Sequence, residues 1–243
     1  ADRLAMLRLM RWLKRRGFRL PDPGMTVDAL LAETRQTPTL CQLIWEPLCV
    51  AALNTPAAAA SAQVFANVLR DSLGAGAAAS ELLLPRTDLS ELFPVPAARY
   101  IGVRRGRLRT GNAIEAVERV AGGYRLDGDP GSHPWPHVVV ATAPYHAGAL
   151  LASVGGCERL VAQIDALEHE PIVSVYLALG RGQQLPEPMI GLASGSTAGP
   201  AQWVFDRGQL GGPEGLFSCV ISAHGPHEAL ARDELVLAVH AQL

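Results

Sequence analysis

The sequence predicts an α+β fold in three successive blocks, and three observations predict it. Through roughly the first 75 residues, apolar positions recur at helical spacing behind helix-start signals. After Pro94 the pattern changes to short alternating runs punctuated by glycine pairs. The last third holds β-rich runs separated by Gly/Pro/Ser loops, the pattern of an antiparallel sheet. The expected divisions are a helical block over 1–95, a strand block over 96–150 and a sheet with helices over 151–243.

In the first block, residues 2–16 form an amphipathic helix with Ala5, Met6, Leu9, Met10, Trp12 and Leu13 on one arc and Arg3, Arg8, Arg11, Lys14 and Arg15 on the other. Thr26 caps a short helix running to Glu33, and Thr37-Pro38 opens a longer one that Pro47 should kink. Asn54-Thr55-Pro56 ends that helix and starts the next, with Thr55 as cap and Gly74 as stop. The second block opens with a helix around 96–104, followed by strands at 107–110, 114–119 and 123–127. Residues 137–142, with three consecutive valines, read as a strand buried on both faces, and a helical stretch follows over 145–167. In the third block the strands are 171–179, 189–193, 201–206 and 216–222, and a helix from about 226 closes the chain.

Composition narrows the function. With 49% hydrophobic and 18% charged residues in 243, the chain is too apolar for disorder and long enough to bury a large core. Its longest uncharged stretches, 47–69 and 130–156, are broken by prolines, so neither predicts a membrane-spanning helix, and no signal peptide is visible. Cys41, Cys49, Cys157 and Cys219 have no ligand spacing and read as reduced thiols. Residues 1–20 carry seven basic residues against Asp2, a charge of +6, which leaves −8 for the remainder of a chain of net charge −2. A short basic end on an acidic body argues against nucleic acid and allows an anionic membrane surface as partner, met through residues 2–16. The expected location is the cytoplasm, peripheral to the inner face of a membrane.

Local motifs add little. Residues 74–79, G-A-G-A-A-A, match a dinucleotide fingerprint in letters, but a helix precedes them where a strand is needed. His133 and His137 are four apart, yet Pro134 and Pro136 forbid the helix that would converge them on a metal, and no metal is expected. His224 and His227 meet Asp206 only if the fold brings them together. No nucleophile elbow, phosphate loop or HExxH is present, and no catalytic residue is assigned. Trp45 and Trp203, with apolar neighbours, suit either core or a ligand wall.

A longer pattern is more specific. The run W-E-P-L-C-V-A-A-L-N-T-P at 45–56, followed by V-F-A-N-V-L-R-D-S-L at 64–73, L-P-R at 84–86, L-F-P at 92–94 and Q-W-V-F-D-R at 202–207, closely resembles the hydroxysqualene dehydroxylases, also called squalene-associated FAD-dependent desaturases. These are similar in fold to phytoene desaturases and flavin amine oxidases. In such proteins the chain leaves an FAD-binding domain to build a substrate domain, returns, and leaves again. The resemblance implies that the helical block and final sheet belong to a substrate domain, and that the middle strands are the returning part of the FAD domain. It places Ile114 where a backbone meets the adenine, and Ala141, Thr142, Ala143 and Pro144 in the turn that ends the buried strand beside the cofactor. The glycine-rich pyrophosphate site and the carboxy-terminal G-D segment of the family are absent from the 243 residues, which therefore resemble an internal fragment.

The resemblance implies an FAD-dependent oxidoreductase that reductively dehydroxylates hydroxysqualene to squalene in hopanoid synthesis. A long apolar isoprenoid would need a greasy wall, for which Trp45, Leu53, Asn54, Thr55 and Trp203 are the candidates. The alternatives are a carotenoid-type desaturase or flavin amine oxidase on the same fold, and a non-catalytic lipid-binding or membrane-docking module.

Overall fold

The computed structural model describes residues 1–131, 133–193 and 198–243. It is an α+β structure with antiparallel sheets of two and four strands. The chain divides into two compact units. One combines Ala1–Leu92 with Glu170–Leu243, and the other is Phe93–His169. Residues 151–169, expected with the final sheet, thus group with the middle unit.

The first unit begins with α1 (Asp2–Arg15), which buries Ala5, Leu9 and Leu13, spaced four residues apart, against the core. Gly17, at φ 58, turns the chain out of the helix, and the Phe18 N–H closes on the Leu13 carbonyl at 2.9 Å. α2 (Val27–Glu33) starts at Thr26, whose hydroxyl accepts from the Ala29 N–H. α3 (Pro38–Leu40) runs into a wide π-turn at Cys41–Trp45 and then α4 (Glu46–Leu53). Pro47 has no N–H for the carbonyl four residues back, and the widened turn just before it absorbs that lost bond. Residues 37–53 are therefore one helical path with a defect where proline dictates.

α5 (Ala62–Asp71) begins later than expected, because Ser61 and not Thr55 caps it. The Ala57 and Ala60 carbonyls accept the Asp28 and Val27 N–H groups at 3.1 and 2.9 Å, and so complete the first turn of α2. A helix through 57–60 would have consumed those carbonyls. The Gly74 N–H closes the far end on the Leu69 carbonyl at 2.8 Å. A short α6 (Leu89–Leu92) completes this stretch.

The middle unit holds α7 (Pro94–Val103), the hairpin of β1 (Ala116–Val120) and β2 (Gly123–Asp127), then α8 (Pro144–Leu151) and α9 (Glu158–Asp165). Three expectations fail here. Residues 107–110 form no strand, since nothing pairs with them and Arg109 turns to Asp129. The expected helix over 145–167 breaks in two at Gly155-Gly156. The valine run at 137–142 belongs to no sheet, and Val139 is 87% exposed. Trp135 exchanges both backbone bonds with Tyr124 at 2.8 Å, but the chain bends at Pro136 and the pairing stops at that single bridge. A doubly buried strand needs a neighbour on each edge, and the described residues provide none.

The four-stranded sheet of the first unit has the order β3-β6-β5-β4, with β3 (Ile172–Ala178), β4 (Met189–Gly191), β5 (Trp203–Asp206) and β6 (Leu216–Ser222), all antiparallel. A 3-10 turn at Pro226–Ala229 precedes α10 (Arg232–Gln242). One sheet face carries Val175, Leu177, Val204, Phe217, Cys219 and Ile221, which pack with Val239 and Leu235 of α10 into a second core.

Candidate functional site: the open face of the four-stranded sheet

A half-buried antiparallel sheet normally turns polar residues to the side away from its core. In β3 the alternation is regular, with Val173, Val175 and Leu177 inward and Ile172, Ser174, Tyr176 and Ala178 outward. The outward residues are not simply polar, since Ile172 and Tyr176 are 61% and 62% exposed. Register extends this face across the sheet. Tyr176, Ser218, Phe205 and Met189 form one cross-strand row, and Ser174, Val220, Trp203 and Gly191 the next. Aromatic and aliphatic groups alternate with two serines, which gives an apolar surface with low points between larger side chains.

Gly191 has a packing reason. A methyl group built there would lie 3.3 Å from Cζ3 of Trp203, so the indole extends over a strand that has no side chain at that point. The indole Nε1 is buried without a hydrogen-bond partner, an arrangement that costs free energy and is uncommon in folded proteins. The remaining wall candidates lie elsewhere. Trp45 sits inside the helical core, edge-on to Phe65 at 6.5 Å, and donates from Nε1 to Gln36 Oε1 at 2.9 Å. Leu53 is partly buried against that core, and the Thr55 hydroxyl donates to the Leu53 carbonyl at 3.0 Å. Asn54, at φ 49, ends α4 and joins it to the sheet. Its Nδ2 donates to the carbonyls of Glu170 and Pro171, and its Oδ1 accepts from the Ala223 N–H at 2.9 Å. Trp203 is therefore the expected wall residue found on the open face. Tyr176 and Phe205 join it, and their signal was the apolar content of both alternating sets in the β-rich runs.

A second concavity in this unit, about 450 Å³, is lined in part by Glu46, Gln202, Ser222, His224, His227 and Leu230. Most of its polar groups are engaged. His224 Nδ1 lies 2.9 Å from Glu228 Oε1, and Gln202 bridges the Ser222 N–H and the Pro200 carbonyl. Burial, with Asp28 nearby, raises the Glu46 pKa. The histidines do not meet Asp206. Burial opposes the charge on Asp206, but bonds from the Gln209 side chain and from the Leu185, Gln209 and Gly208 N–H groups outweigh it and hold its pKa below the usual value. Burial also pushes the Cys219 thiol up to about 11, and burial with Asp28 and Glu46 does the same to Cys49, so neither is a thiolate at neutral pH. Among the described residues no group of three or more His, Cys, Asp or Glu could hold a metal.

The residues expected beside FAD lie in the middle unit. Ile114 is half-buried just before β1, and the next N–H, that of Glu115, already donates to the Asp127 carbonyl at 3.0 Å. Ala141 and Thr142 are exposed. Ala143 precedes α8, its carbonyl accepting the His146 N–H, and Pro144 is the first helical residue. α8 packs on β1, so the two candidate segments flank neighbouring elements. They provide apolar and peptide surface, without a glycine-rich turn between a strand and a helix of the kind that cradles a pyrophosphate. Nearby Asp129 is an anion stabilised chiefly by the Trp135 indole N–H and the Gly131 N–H, with Arg109 beside it. The glycines at 74–79 follow α5 and lead into a 3-10 turn at Ala77–Ser80, not from a strand to a helix.

Comparison with protein-family models finds none that matches the chain, and comparison with curated proteins finds no match. No helix among the described residues is long and apolar enough to cross a membrane.

Proposed function

We propose that the chain is the substrate-facing interior of an FAD-dependent oxidoreductase that acts on a long isoprenoid, with hydroxysqualene as substrate and squalene as product. The observation that carries the reading is the sheet face that bears exposed Tyr176 beside half-buried Trp203 and Phe205, whose apolar surface suits a hydrocarbon chain better than water. Two further features support the reading. The first unit is assembled from two segments that flank the middle unit in sequence, as expected of a path that leaves a cofactor domain, returns and leaves again. The valine run at 137–142 is unpaired, as a sheet strand would be without its neighbours.

The reaction replaces a carbon–hydroxyl bond by carbon–hydrogen and releases water, taking up two electrons and two protons that reduced FAD supplies when bound. This chain would hold the isoprenoid and exclude water, while the flavin phosphates require polypeptide beyond these 243 residues. The test is anaerobic incubation of the complete protein containing this chain with hydroxysqualene and reduced FAD. Squalene is the expected product. Turnover of a polyene or an amine in its place would favour the desaturase or amine oxidase reading. A flavin-free protein that still binds squalene would favour a lipid-binding module.

A further inference from the structure

The face of α1 turned away from the core is a second apolar strip set among cations. The arc of Ala5, Leu9 and Leu13, which from sequence alone was the one available to a membrane, is fully used by the core. Leu4 and Leu7 are on the opposite side, 72% and 57% exposed. Leu4, Arg8, Arg11 and Arg15 follow one another at helical i, i+4, i+7 and i+11 spacing, and Leu7, Arg11 and Lys14 at i, i+4 and i+7. Leu4 and Leu7 thus lie in the middle of a basic face. Trp12 borders it with Arg16 stacked on its ring at 3.9 Å.

We infer that this outward face of α1 docks the protein on anionic lipid bilayers, with Leu4 and Leu7 entering the headgroup boundary and Arg11, Lys14 and Arg15 contacting the phosphates. Charge complementarity selects this occupant. Residues 1–20 carry +6 and the rest of the chain −8, so an anionic plane attracts this helix, repels the body and orients the molecule with α1 downward. Two leucines enclosed by cations on one helix suit a surface that offers charge outside and hydrocarbon beneath, and an acidic polypeptide offers only the charge. Arg8 plays a different part. Its guanidinium donates to the carbonyls of Thr34 and Arg35, which ties α1 to the end of α2, so it is not a suitable position to change.

The inference is independent of the enzymatic reading and is tested on the 243-residue chain by sedimentation with phosphatidylglycerol/phosphatidylcholine vesicles and with phosphatidylcholine vesicles alone. Binding is expected to the former only. Arg11→Gln/Lys14→Gln/Arg15→Gln should weaken it on the order of a hundredfold, about fivefold for each cation. Leu4→Ser/Leu7→Ser should weaken it about tenfold or more with the charge intact. All of these residues are exposed, and an unchanged melting temperature verifies the fold of each variant. Equal binding to both vesicle types, indifference to either variant, or equally tight leucine-independent binding to polyglutamate would each overturn the inference.

Discussion

At Asn54 a left-handed backbone and a two-ended amide coincide, and both are needed. The residue closes α4 at φ 49, a conformation asparagine tolerates better than most side chains. From there its amide reaches the backbone on both sides of the β3–β6 end of the sheet. Asn54→Gly retains the backbone geometry and removes the three bonds, so urea denaturation should show a loss of about 2–3 kcal/mol. A change under about 0.5 kcal/mol would mean that the bracket contributes nothing. Trp45→Ala should cost about 3–5 kcal/mol, because the ring is wholly enclosed and its N–H is satisfied. Asp206 has a pKa lowered in the folded state, so its contribution is present above the unfolded carboxylate value and is lost as pH falls through the folded one. Asp206→Asn should therefore destabilise at pH 7, and its difference from wild type should shrink as pH falls below the ordinary aspartate value of about 3.9, as measured by thermal melts across the acid range.

The elements divide into those governed by local pattern and those governed by distant partners. The strands of the four-stranded sheet were legible because period-two alternation and Gly/Pro loops are local properties. α2 was legible through the Thr26 cap. The start of α5 was not, because the Ala57 and Ala60 carbonyls are claimed by α2, some thirty residues away, and no local signal announces it. The run at 137–142 has strong strand propensity but no partner, so propensity alone misled. Its backbone amides should exchange with deuterium almost as fast as in an unstructured peptide in this chain, and become protected in the complete protein if flanking strands join it. Strong protection in the isolated chain would contradict the unpaired placement. Of the candidate site, Trp203 was legible and its row-mates were not, since cross-strand register decides which aromatics share a face.

For the whole molecule, the proposed function depends on a surface whose two neighbouring rows bring together β3, β6, β5 and β4. The chain alone should be colourless and show no saturable FAD binding at micromolar concentration, about −8 kcal/mol on the affinity scale, because the described residues include no pyrophosphate site. Under the proposed function, the sheet face should nonetheless hold an isoprenoid in the complete protein. Photoaffinity labelling of the complete protein with a diazirine-bearing squalene analogue, mapped by mass spectrometry, tests this most directly. The account predicts labels on peptides carrying Tyr176, Trp203 and Phe205, displaced by excess squalene and strongly reduced in Gly191→Val, where the new side chain would collide with the indole. Labels that avoid β3 and β5, or that squalene does not displace, would contradict it.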